Sequence, residues 1–207
     1  MATKPRLNLL TVFVLATLAT GLASMALAQP NQSPEKIKIL IVYHSPGGHT
    51  EAMAKAVAEG AKKIPQVEVT LKKVGDVKCQ ELLATDALVV GSPVYWSNMA
   101  GEVKTFFDRF SMECGVLPPA FQMHDKVGAA FVTGGETSSG KEIALMTIVA
   151  AMLGNRMIVL SEGQALGAAA TTGDGKTPVT EKELDEARRL GERVASVAAT
   201  FKRGKGK

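Results

Sequence analysis

The sequence predicts an α/β fold, a doubly wound five-stranded parallel sheet in the order 2-1-3-4-5 with helices on both faces. Two observations predict it. Between Lys36 and Phe201, short apolar runs alternate with stretches of helical periodicity, the signature of a parallel sheet covered on both sides. The first run, residues 37–43 (IKILIVY), passes directly into a turn of hydroxyls and glycines, Ser45-Pro46-Gly47-Gly48-His49-Thr50, and a helical pattern follows at once. Right-handed crossovers leave few topologies. A Gly-rich turn after the first strand selects 2-1-3-4-5, with ligands at the carboxyl ends of strands one, three and four.

Each element has its own reason. Residues 50–64 place Met53, Ala54, Ala56, Val57 and Ala61 toward one face and Glu51, Lys55, Glu59 and Lys63 toward the other, a helix that Pro65 ends. Residues 67–72 (VEVTLK) alternate with period two, as a strand exposed on one side does. Residues 79–83 make a short helical turn, and residues 87–90 (ALVV) a fully apolar strand of the kind buried in parallel sheets. Helices follow over 99–110 and 140–153, strands over 126–132 and 156–160, and a long amphipathic helix over 181–201. Residues 111–125 and 163–180 are long for loops, and long ordered loops are often functional. There is no internal repeat and no second domain.

The N-terminus has the pattern of an export signal. Lys4 and Arg6 precede an uncharged stretch over 7–28 that ends in Ala26-Leu27-Ala28, followed by the polar, helix-breaking QPNQSP. A cleaved signal over 1–28 and a linker over 29–35 would make the protein exported and periplasmic. An uncleaved membrane anchor over 7–28 is the alternative, because about 20 apolar residues can span a bilayer. The domain proper runs over 36–201, and the basic end, 202–207, reads as a flexible tail. Loss of Lys4 and Arg6 takes the formal charge from +4 to +2. No basic face interleaved with aromatics is present, which excludes a nucleic-acid role.

Cys79 and Cys114 fit neither a C-x-x-C redox pair nor a zinc site. A disulfide and two unrelated small residues both remain open, and the second is the favoured reading. His44, His49 and His124 are too scattered for a metal site. Ser45 has no G-x-S-x-G setting, so hydrolysis is disfavoured.

Three turns carry the chemistry. In the first, Ser45, Gly47, Gly48, His49 and Thr50 sit where a strand feeds a helix N-terminus, so free amides and the positive dipole end face one anion. The turn contains no Lys and is neither G-x-x-x-x-G-K-[ST] nor G-x-G-x-x-G. It suits a single phosphate monoester such as that of FMN; an ordinary capped strand–turn–helix is the alternative. His49 could donate to that phosphate or simply pack. The second turn, residues 91–99, holds Pro93, Val94, Tyr95, Trp96 and Asn98, and Trp96 is the chain's one tryptophan. It would stack on a ligand ring or cap the core. The third, Thr133-Gly134-Gly135-Glu136-Thr137 and on to Gly140, again joins glycines and hydroxyls to a helix start. All three fall on one predicted sheet edge, and that coincidence marks a site.

The runs KILIVYHSPGGHTEAMAKAVAEGA, GSPVYWSNMAGEVKTFFDRF and GQALGAAATTGDG…TEKELDEARRLGERVA resemble flavodoxin-like proteins, and among them the WrbA-type NAD(P)H:quinone oxidoreductases. The resemblance implies a flavodoxin fold, FMN, NAD(P)H as donor, a quinone-like acceptor and a homo-oligomer. It places Ser45, Gly47, Gly48, His49 and Thr50 around the phosphate. Pro93, Val94, Tyr95, Trp96 and Asn98 would line the isoalloxazine, with Thr133, Gly134, Gly135, Glu136 and Thr137 at its other edge. Tyr95, Trp96 and Ser138 stand where the family commonly has Arg, Phe and His. The flavin would do the chemistry, so no side chain is assigned a catalytic role. The leading expectation is an FMN-dependent enzyme that reduces quinones by two electrons. A one-electron carrier served by a redox protein donor is a second reading, against which the mild basicity argues. A cofactor-free binding protein on the same fold is a third.

Overall fold

The structure is a computed structural model that describes residues 35–116, 118, 120–162 and 166–205. The expected signal or anchor and most of the linker lie outside the described residues. Among the described residues, no helix is long and apolar enough to cross a membrane.

Strand β1 (Ile37–Tyr43) lies inside the sheet between β2 (Val67–Lys73) at the edge and β3 (Ala87–Tyr95) in the middle, both parallel to it. Then come β5 (Val127–Gly134) beside β3 and β6 (Ile158–Leu160) beside β5, giving the order β2-β1-β3-β5-β6. This is the expected 2-1-3-4-5 path, with two additions. A short strand β4 (Asn98–Met99) turns back antiparallel on β3. The fifth strand is broken: Val127–Ala129 pair with β6, whereas Phe131–Gly134 pair with β7 (Ala168–Thr171), so the chain leaves the sheet after β6 and re-enters it. The expected loop over 163–180 therefore contains a strand.

Helices α1 (His49–Ala61) and α5 (Glu181–Lys205) cover one face of the sheet. The short α2 (Cys79–Leu83) precedes α3 (Gly101–Glu113) and α4 (Lys141–Gly154), which bury their apolar stripes on the other. Because β1 is buried on both faces, Ile39 and Ile41 join the first layer and Leu40 and Val42 the second. Two glycines let α1 and α5 approach backbone to backbone. A Cβ on Gly60 would lie 1.8 Å from the Arg188 carbonyl oxygen, and one on Gly191 would lie 1.9 Å from that of Val57.

Two expectations are corrected. Cys79 and Cys114 form a disulfide, their Cα atoms 5.2 Å apart, rather than standing as unrelated residues. The bridge joins the start of α2 to the end of α3. Only the crossover geometry brings these together, and sequence spacing does not reveal it. The basic tail expected from residue 202 is, as far as Lys205, the last turn of α5. The Lys202 ammonium donates to the Asp86 carboxylate at 2.9 Å and to the Lys36 carbonyl at 2.8 Å.

Candidate functional site

The first turn leaves β1 at Tyr43 and is fastened to its neighbour at once, since the His44 amide donates to the Gly91 carbonyl at 3.2 Å. Gly48 caps α1 with φ of 86°, in the left-handed region that glycine enters without steric cost. The Ser45 hydroxyl oxygen accepts from the Glu51 amide at 3.0 Å, and the helical ladder begins with the Ala52 amide on the Gly48 carbonyl at 2.9 Å. Among the described residues, the amides of Gly47, Gly48, His49 and Thr50 have no acceptor. The His49 imidazole folds back beside Gly47, where a Cβ would come 3.4 Å from Nδ1. A Cβ on Gly48 would meet no protein atom within 4 Å.

The second turn is not a loop over 91–99 but a hairpin. Strand β3 continues through Pro93 and Val94 to Tyr95, and Tyr95 pairs with Asn98. Trp96 and Ser97 form the two-residue tip, with φ of 49° and 61°. Positive φ at both central positions is what a type I′ hairpin requires, yet tryptophan rarely adopts it. Trp96 is 100% exposed, so it does not cap the core. The hairpin base is held by Ser92, whose hydroxyl oxygen accepts from the Ala100 amide at 2.8 Å as α3 begins. Its flank is held by Asn98, whose Oδ1 accepts from the Thr147 hydroxyl of α4 at 2.8 Å. The Tyr95 ring meets the His44 ring edge-on, centroids 6.5 Å apart. The first and second turns therefore emerge side by side.

The third turn joins them. Thr133, at the end of β5, shares a buried 2.8 Å hydrogen bond with Thr50 of the first turn. Gly134 accepts the Thr172 amide at 2.9 Å, and a Cβ on Gly135 would lie 2.9 Å from the Gly173 carbonyl, so the stretch after β7 supports this turn from below. Glu136 and Thr137 are exposed. Gly140, with φ of 84°, abuts the hairpin tip: a Cβ there would come 2.5 Å from Ser97 Cα. The Ser139 hydroxyl is buried and has no hydrogen-bond partner among the described residues.

The site residues expected from the sequence are thus gathered on one rim, where α1, α3 and α4 all begin. Three positive dipole ends face the same region. His44 lies 3.5 Å from the Glu102 carboxylate at the start of α3. Sequence reasoning missed Ser92, Thr147 and Lys141. Lys141 opens α4 yet is only 7% exposed, and its ammonium donates to the Thr171 hydroxyl. A cation buried at a helix N-terminus is unfavourable on both counts, and Glu183 answers it. Burial pushes the Glu183 carboxyl up. Hydrogen bonds from the Thr180 hydroxyl and the Thr171 and Thr180 amides, with the Lys141 charge, outweigh this and hold it below the usual glutamate range. The signal for Lys141 was its place directly after the third turn.

Fold and rim together define a flavodoxin-like protein. Residues 78–172 match the model of the NADPH-dependent FMN reductase family, and the chain as a whole has the flavodoxin-like fold. Among solved structures, it is similar to the flavodoxin, WrbA-like protein from Agrobacterium tumefaciens, with 28% identity and a TM-score of 0.66 over 80% of this chain and 99% of that one. It is also similar to a flavodoxin from the domain Archaea, with 27% identity and a TM-score of 0.63 over 79% and 99%. Flavodoxin 2 from Bacillus cereus, at 22% identity and a TM-score of 0.60 over 77% and 99%, shares the fold.

The residues present fit FMN. Four amides without acceptors at a helix N-terminus, beside a glycine that leaves its surroundings open, suit a compact anion that carries its own charge. The first turn holds no Lys or Arg, so nothing there calls for a diphosphate. The Ser139 hydroxyl supplies an unused polar atom in the third turn.

Proposed function

We propose that the chain is an FMN-dependent oxidoreductase that takes a hydride from NAD(P)H and reduces a quinone-like acceptor by two electrons. The observation that carries this reading is the common rim of the three turns, with free amides on one side and the Tyr95–Trp96 hairpin on the other. Ser45, Gly47, Gly48, His49 and Thr50 hold the phosphate. Pro93, Val94, Tyr95, Trp96 and Asn98 border the ring on the hairpin side, and residues 133–137 border its opposite edge. When bound, FMN supplies the relay between donor and acceptor, and the protein positions it and sets its potential. The hydride from NAD(P)H would bring two electrons and one of the two hydrogens that turn a quinone into a quinol, and solvent at the open rim would supply the one remaining proton.

The same proposal makes the protein an exported one. The signal pattern over 1–28 supports this, as does the bridged Cys79–Cys114 pair, because disulfides persist in oxidising compartments. It also makes the protein a homo-oligomer, supported by Ile143, Met146 and Leu153, which lie exposed along α4.

The test is anaerobic mixing of the FMN-loaded full chain with NADPH or NADH. Bleaching of the yellow flavin absorbance within seconds, and its return on adding benzoquinone, is the expected result. A flavin that dithionite reduces but neither nucleotide does would overturn the enzyme reading and favour a carrier.

A further inference from the structure

Among the described residues, Lys141 is the only charged side chain that is buried. Its ammonium donates to the Thr171 hydroxyl, a neutral partner, and forms no ion pair with a carboxylate of the described residues. Glu183 is reached only at one remove. The Thr171 amide donates to its carboxylate at 2.8 Å, and the amide and hydroxyl of Thr180 donate to the other oxygen as α5 begins. That carboxylate opposes the Lys141 charge from a distance, so a largely uncompensated cation lies inside the protein. An unpaired buried charge is unfavourable, and an apolar side chain of similar volume would fill the space without that penalty.

Its place gives the charge a use. The stem of Lys141 lies against the third turn: a Cβ on Gly134 would come 2.9 Å from its Cγ and 3.2 Å from its Cδ, so the bare glycine is what admits it. The unpartnered Ser139 hydroxyl lies at the same spot. This turn borders the ring edge away from the hairpin, whereas the phosphate is served by the free amides of the first turn. A ring that accepts a hydride gains one negative charge. A cation already fixed behind the turn stabilises that charge with no reorganisation when it arrives. The positive end of α4, where Lys141 stands, acts in the same sense.

We propose that Lys141 is a positioning residue that sets the potential of the bound flavin: its buried charge, acting through the third turn, favours the reduced, anionic ring over the oxidised, neutral one, and Glu183 is the counterweight. The proposal rests on the FMN reading and on no particular electron donor or acceptor. Charge alone then decides the direction in which each residue moves the potential. Loss of the ammonium lowers it, and loss of the carboxylate raises it.

The test is an anaerobic dithionite titration of the FMN-loaded full chain against reference dyes, repeated for Lys141→Met and Glu183→Gln. In Lys141→Met, binding of the reduced flavin is expected to weaken about tenfold relative to the oxidised form, a fall of about 30 mV for a two-electron couple. Glu183→Gln keeps the shape and removes the opposing charge, so its potential is expected to rise. A turn merely loosened by substitution would not shift the potential in opposite directions in the two variants. An unmoved potential in either variant, or shifts of the same sign, overturns the proposal. So does an equal loss of affinity for both forms of FMN in Lys141→Met, because the cation would then serve the phosphate. Nucleotide and quinone take no part in the titration, so failure of the donor or acceptor reading leaves the outcome intact. A wild-type chain that takes up no FMN overturns the FMN reading and this proposal with it.

Discussion

Gly48→Asp lowers the affinity for FMN by about a hundredfold or more. Gly48 already has the positive φ that Asp and Asn tolerate better than other side-chain residues, and a Cβ there meets no protein atom within 4 Å. The substitution therefore meets no clash, carries the backbone strain of a side-chain residue at φ 86°, and adds one negative charge beside four unpaired amides. Like charges about 4 Å apart near a protein surface repel by roughly 4 kcal/mol before salt screening, which is enough for that loss. Gly48→Asn has the same shape without the charge, so its loss is expected to be about tenfold or less. Quenching of flavin fluorescence on titration into the flavin-free chain measures both. Equal losses in the two variants would mean that sterics, not anion recognition, govern the turn.

Removing the Cys79–Cys114 bridge destabilises the domain by about 4 kcal/mol. It closes a loop of 35 residues, and the chain-entropy model gives roughly that value for a loop of this size. The expected readout is a lower urea midpoint for Cys79→Ser with Cys114→Ser, and for the wild type under reductant. The double variant should then be insensitive to reductant. An unchanged midpoint in both experiments would show that α2 and the end of α3 are held in place by their apolar packing alone. Phe106 and Phe110 of α3, with Val74 and Val77, lie beside the two cysteines and provide that packing.

Much of this architecture is legible in the sequence because its signals are local. Strand β1 has the expected bounds, since IKILIVY is an unbroken apolar run with one outward lysine, bounded by a polar turn. Helix α1 follows from its periodicity and from Pro65. The common rim is legible too, because alternation of strand and helix forces every βα turn to the same edge. The features that were missed depend on tertiary contact. Trp96-Ser97 is a poor hairpin tip by composition, and only the closeness of Gly140 to Ser97 and the Asn98–Thr147 bond make it one. Strand β7, with the sequence AAAT, carries little strand propensity and is drawn into the sheet by pairing with Phe131–Gly134. Lys141 looked like a solvated helix residue. Its burial becomes tolerable only once Thr171 and Glu183 arrive from elements later in the chain.

The central claim is that the amides opening α1 hold a phosphate. Comparing FMN with riboflavin tests it most directly, because the two share the ring and differ at that one group. Titrated into the flavin-free full chain, FMN is expected to bind at least about a hundredfold more tightly than riboflavin, a difference within reach of charge-assisted hydrogen bonds. Equal affinities for the two would contradict the account.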